Sequence, residues 1–149
     1  MSLRKKRDSL RKGATDKVRL IRNDINSMIE MDGDTVTFTW KETTGAVWNS
    51  TYEVWEGGTI ENKSLDVRGI GKTVDYVDDE MEYEYGRIEV GECIVRFPHD
   101  FDLSQFGDKE ELRFIYKQRK WRIDGSLNWV EKINDQVFAK VIKGVRSLD

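Results

Sequence analysis

The chain is poor in the residues from which most active sites are made. Its 149 residues include one histidine, His99, and one cysteine, Cys93. A lone cysteine excludes a disulfide framework and a cysteine-based zinc site, and it points to a reducing compartment. Pro98 is the only proline. No run of 18 apolar residues occurs, and the basic N-terminus lacks the apolar stretch of a signal peptide. The expectation is a soluble protein with no leader, no membrane span and no membrane partner.

Scarcity also limits the chemistry. A cysteine nucleophile needs a base within reach, but Cys93 lies six residues from His99 in a strand-like run, a spacing that does not bring the two side chains together. Cys93 reads instead as a small buried hydrophobe, and His99 as a surface or loop residue. The acids of Asp78-Asp79-Glu80 and of Asp100 and Asp102 lack the glycine and alternating ligands of a calcium loop. Gly69-Ile70-Gly71-Lys72-Thr73 resembles the end of a phosphate-binding loop, but Asp66 stands where that motif requires its first glycine. Strand–turn–strand is the better reading there. No catalytic residue, no metal and no cofactor is expected.

What the chain does have is charge, unevenly placed. Residues 1–22 carry nine basic groups against Asp8 and Asp16, a local charge of +7, which leaves the rest of the chain at −10. Arg4, Lys5, Lys6, Arg7, Arg11 and Lys12 form the densest part. Such an arm reads as a nucleic-acid tail, as an arm docking on an acidic partner, or as a solvated tail. A second bias runs from Asp75 to Glu92 and includes Asp78, Asp79, Glu80, Glu82 and Glu84, opposed within the segment only by Arg87. It reads as a solvated loop or as one protomer's share of a negative ring. Lys117, Arg119, Lys120 and Arg122 gather around Tyr116 and Trp121, either as a contact patch or as a charged edge that blocks strand pairing.

Periodicity supplies the fold class. Residues 1–14 lack apolar periodicity and read as a flexible basic arm. Val18, Ile21, Ile25, Met28 and Ile29 then mark one face of a helix near 16–31, with Thr15 as N-cap and Gly33 as the stop. From there the period falls to two: Val36, Phe38 and Trp40 alternate with threonines. Further strands are expected at 47–55, 65–70, 74–77, 87–90, 92–97, 112–117, 120–123, 127–133 and 136–146. Gln118-Arg119 marks a hairpin tip. Five Trp, six Phe and five Tyr supply the core. The prediction is a mainly β protein: one domain over residues 15–149, a small β-barrel or sandwich with one N-terminal α-helix.

The segments Gly86–Phe97, Phe101-Asp102-Leu103, Leu112–Tyr116 and Lys120–Ile123 together resemble the tailed-bacteriophage head–tail connector proteins of the head-completion or stopper type. In those, a glycine-led strand and a V-G-[DE] turn precede an apolar strand, an acidic D-x-D-L loop and a hairpin in which an aromatic and a basic residue flank the tip. The resemblance implies a non-catalytic homo-oligomeric ring in the virion neck, assembled in the host cytoplasm. Its neighbours would be portal or adaptor and tail proteins, and it would touch double-stranded DNA in passing. On that view the acidic loop would face the channel or a partner, and the arm would bind a neighbouring ring or DNA. The alternative is an OB-like module that holds single-stranded nucleic acid between the arm and the Lys117–Arg122 hairpin.

Overall fold

A computed structural model describes the backbone of residues 3–83 and 86–148, and the side chains of that set from Lys17 onward. Among the described residues a single α-helix, α1 (Leu3–Asp32), is followed by eleven strands. The helix starts at Leu3 and not near residue 16, so Thr15 lies inside it and is no cap. Lys, Arg, Leu and Ala are strong helix formers, and their propensity carries the helix through a segment without apolar periodicity. At its other end Gly33 N donates to Ile29 O at 3.0 Å, closing the last turn. Arg68 reaches the same end and donates to the carbonyls of Ile29, Glu30 and Gly33, the last at 2.7 Å. A cation there satisfies unpaired carbonyls and complements the negative end of the helix dipole.

The strands β1 (Asp34–Thr44), β4 (Thr59–Thr73), β7 (Glu92–Pro98), β8 (Glu110–Tyr116), β9 (Arg119–Ile123) and β11 (Gln136–Arg146) form an antiparallel barrel in the order β11-β7-β4-β1-β8-β9. Pairing of Gly144–Arg146 with Trp121–Ile123 closes it. The barrel, one of two expected architectures, thus replaces the sandwich. Closure removes the exposed edges that a six-stranded open sheet would carry. β10 (Val130–Ile133) adds to the start of β11, beyond the closed ring. Two short hairpins stand apart: β2 (Val47–Asn49) with β3 (Val54–Glu56), and β5 (Met81–Tyr83) with β6 (Gly86–Ile88).

Alternation fills the barrel. Val36 and Phe38 from β1, Cys93, Val95 and Phe97 from β7, Phe114 and Tyr116 from β8, and Trp121 from β9 are buried in one cluster. Phe38 is its centre, with its ring 4.4 Å from Phe106 and 5.8–6.0 Å from Phe97 and Phe114. Phe106 and Leu103 come from a short 3₁₀ turn (Leu103–Phe106) between β7 and β8, which folds back onto the core. Asp102 caps this turn, accepting from Ser104 N at 3.0 Å. The acid of the D-x-D-L segment therefore holds a turn that plugs the barrel. A second, smaller cluster of Val74, Ile88, Ile94 and Val141 lies on the other face of β7 and β11, covered in part by Tyr83 and Trp129. The helix lies across β11, β4 and β7, burying Val18 and Ile29, and Arg22 donates to Val137 O at 2.6 and 2.8 Å.

Several expected boundaries move. Residues 65–70 and 74–77 do not form two strands: β4 runs unbroken from Thr59 to Thr73, and Val77–Asp79 is a 3₁₀ turn. Gly69–Thr73 is accordingly straight strand, neither a phosphate loop nor a strand–turn–strand unit. Its glycines are needed because β4 passes close to β7. A Cβ on Gly71 would meet Ile94 O at 2.1 Å. The expected strand over 47–55 is instead the β2–β3 hairpin, turned by Ser50–Glu53, with Glu53 at φ 53°.

Candidate functional site

The sequence-predicted residues fall into separate places. The side chains of Arg4, Lys5, Lys6, Arg7, Arg11 and Lys12 lie outside the described set, though their backbone continues α1. Glu84 also lies outside the described residues.

The acidic segment is better compensated than its sequence implies. Chain-distant cations reach it: Arg119 Nη1 pairs with Asp75 at 3.0 Å, and Lys72 Nζ stands 3.9 Å from Asp79. Glu80 holds Arg87 at 3.3 Å and accepts from Val90 N, so it braces the β5–β6 hairpin. Glu92, at the end of this run, joins Asp124 around Lys143, each at 3.1 Å. Burial alone would lower the Lys143 pKa, but the two carboxylates outweigh it and raise the value. Asp78, Glu82 and Glu89 are exposed, with Arg87 Nη1 4.0 Å from Glu82. Arg87 as sole opponent is therefore corrected by Lys72, Arg119 and Lys143, which tertiary folding supplies.

The hairpin of β8 and β9 separates what the sequence placed together. Tyr116 and Trp121 are buried in the core, and Trp121 Nε1 donates to Tyr116 O at 3.0 Å. Lys117, Lys120 and Arg122 stay exposed, and Arg119 is half-buried against Asp75. The turn is Lys117-Gln118, at φ 50° and 63°, the twist of a type I′ hairpin. The strand period sends the rings inward and most of the cations outward, while Lys117 Nζ stays 5.5 Å from the centroid of the Tyr116 ring. Lys120 instead lines a shallow groove of about 540 Å³ on the outer barrel face with Lys41, Lys63, Arg113 and Glu111. Lys41 is paired with Glu111 at 3.0 Å and Lys63 with Glu61 at 2.9 Å.

Cys93 is fully buried, and its pKa is pushed up to about 12 by that burial. His99 follows β7 at the far end from Cys93, roughly 20 Å along an extended chain. The two are not neighbours.

The most distinctive surface was not anticipated. β1 and β4 pair over eleven residues, out to Thr44 with Thr59, whereas β8 accompanies β1 only as far as Lys41. Past that point the ladder is two-stranded and leaves the barrel. Gly45, Gly57 and Gly58, all at φ between 72° and 84°, join it to β2–β3. A Cβ on Gly58 would meet Thr44 O at 2.7 Å, so the chain doubles back there as only glycine allows. This projecting arm exposes Trp55 and Tyr52 by 68% and 72%, with Val47, Trp48, Val54 and Ile60 beside them. Trp48 and Trp55 pair edge to face across the strands, centroids 5.4 Å apart. The aromatic content was read as core supply, which hid this patch. Asn49-Ser50-Thr51, a run of turn-forming residues inside an apolar stretch, was the signal that the strand reverses there.

Among the described residues no group of three or more His, Cys, Asp and Glu is placed to hold a metal ion. No described helix is long and apolar enough to cross a membrane. Comparison of the chain with protein-family models, with curated proteins and with solved structures returns no match.

Proposed function

We propose that this protein is a non-catalytic structural component of a tailed-phage neck, a homo-oligomeric ring between portal and tail around the DNA channel. The observation that carries this reading is the arm of β1–β4 and β2–β3, which holds aromatic side chains in water away from a barrel that has its own filled core. Contiguous exposed apolar surface of this kind is the mark of a contact between macromolecules. The resemblance of residues 86–125 to head-completion proteins supports this choice of assembly. Asp78 and Glu82 would then present negative charge toward passing DNA, where repulsion favours sliding over sticking.

Size-exclusion chromatography with light scattering and negative-stain microscopy test the proposal. The expected result is a closed ring, formed by the protein alone or on addition of portal rings. A protein that stays monomeric under both conditions contradicts it.

A second reading has one observation in its favour, the groove lined by Lys41, Lys63, Arg113 and Lys120. Such a groove could track the backbone of a single-stranded nucleic acid. It predicts a rise in fluorescence anisotropy of a labelled oligonucleotide at low salt that weakens steeply as salt is added. No rise at low salt rules it out.

A further inference from the structure

We propose that the open edge of β4, residues 59–67, accepts an extended segment of another protein as an added antiparallel strand. The inference goes beyond the ring reading and does not depend on it.

β4 has neighbours on both sides only within the closed barrel. β1 accompanies it from Thr59 to Gly69, whereas β7 joins it only from Ile70 to Thr73. β7 ends at Pro98, where Phe101 N donates to Pro98 O and turns the chain away. Among the described residues, 59–67 therefore pair with β1 alone, and Thr59–Asp66 are all exposed. Every second residue of this stretch turns its N–H and its C=O to the open side. The row is about 30 Å long, and an extended strand is what satisfies such groups; a helix or a lipid surface does not. Neither bulge nor proline blunts the edge: the pairing with β1 is regular over all its residues, and the stretch holds no proline.

Side chains set what the strand must be. Val67, Leu65 and Lys63 stand directly opposite Val36, Phe38 and Trp40, so with Glu61 they line the face that continues the core. Leu65 is 37% exposed there, although Phe38 beside it is fully buried. Apolar residues opposite Val67 and Leu65 would cover that margin of the core. The same strand needs an acid opposite Lys63 and a base opposite Glu61. Those two now hold each other at 2.9 Å, each nearly half exposed. Antiparallel to β4, the fitting segment reads apolar-x-apolar-x-acidic-x-basic from its N-terminus.

A second β4 does not meet this pattern. Laid antiparallel, the register that sets Glu61 against Lys63 sets Leu65 against Thr59 and Val67 against Gly57. Setting Leu65 against itself puts Lys63 against Val67, and setting Leu65 against Val67 brings Asp66 against Asp66. Each register satisfies one half of the row and spoils the other. The occupant is thus a different chain.

The test uses the full chain and a fluorescein-labelled synthetic peptide, Val-Thr-Val-Thr-Glu-Thr-Lys, matched to the row from Val67 back to Glu61. The expected result is saturable binding below about 1 mM in fluorescence anisotropy, with amide hydrogen exchange slowed across residues 59–67 and unchanged in β11. A peptide with its Glu and Lys exchanged should bind roughly tenfold more weakly. Glu61→Lys/Lys63→Glu should reverse that preference, and both side chains are exposed, so the fold is retained. No binding up to about 1 mM, equal affinity for the two peptides, or slowed exchange only outside residues 59–67 overturns the proposal. So does slowed exchange at 59–67 that follows protein concentration without peptide, which would assign the edge to a second copy. None of these outcomes touches the ring reading, which the oligomeric state decides.

Discussion

Cys93 shows at the residue scale how burial decides chemistry. Its thiol sits in the barrel core, and desolvation raises its pKa from 9.0 to about 12. It should therefore resist a disulfide-exchange reagent in the native state and react fully in denaturant, with absorbance of the released thiolate as the readout. The same shift sets a pH dependence. A raised folded-state pKa means the folded form keeps its proton longer, so the stability it contributes is complete below about pH 9. That stability falls by about 1.4 kcal/mol per pH unit as the pH rises toward 12. Tyr116, raised from 10.0 to about 12 chiefly by burial, adds to the loss above pH 10. Urea unfolding between pH 8 and 10 should be flatter for Cys93→Ala than for the native chain. Phe38 and Gly71 give sharper losses. Phe38→Ala empties the centre of the aromatic cluster and should cost about 3–5 kcal/mol. Gly71→Ala drives a methyl onto a backbone carbonyl of β7 and should leave too little folded protein for a cooperative transition in urea.

At the scale of elements, the helix and the arm behave differently. Arg68 ties the end of α1 to β4, and Arg68→Ala should lower stability by about 1–2 kcal/mol in urea unfolding, through unpaired helix carbonyls. By contrast, Trp48→Ala and Trp55→Ala should leave the thermal midpoint of the barrel within about a degree, because neither ring supports the core. The contrast shows what local pattern carries. Val36-x-Phe38-x-Trp40 was legible as a strand because one face is buried and the period of two survives. Glu92–Phe97 and Gln136–Arg146 were instead legible as short runs rich in β-branched residues that are buried on both faces. The helix start was not, since charged residues with high propensity leave no apolar stripe to read. Nor was the arm: Trp48 and Trp55 look like core residues in any window, and only tertiary structure reveals that the barrel ends before them. The relief of Asp75 by Arg119, 44 residues later, and of Asp79 by Lys72 likewise depends on which strands become neighbours.

For the whole molecule, the closed barrel and its arm divide the work. The barrel holds its own core, while the arm carries its aromatic side chains out into water. The central claim is that the protein exists to assemble, and that the arm is how it does so. Replacing residues 45–58 by an Asn-Gly turn joins Thr44 to Thr59, which are already paired, and leaves every barrel strand in place. Sedimentation velocity of this shortened chain beside the native one is the most direct test. The account predicts that the native chain sediments as a closed oligomer and the shortened chain as a folded monomer. A shortened chain that still forms the same oligomer, or a native chain that sediments only as a monomer, would contradict it.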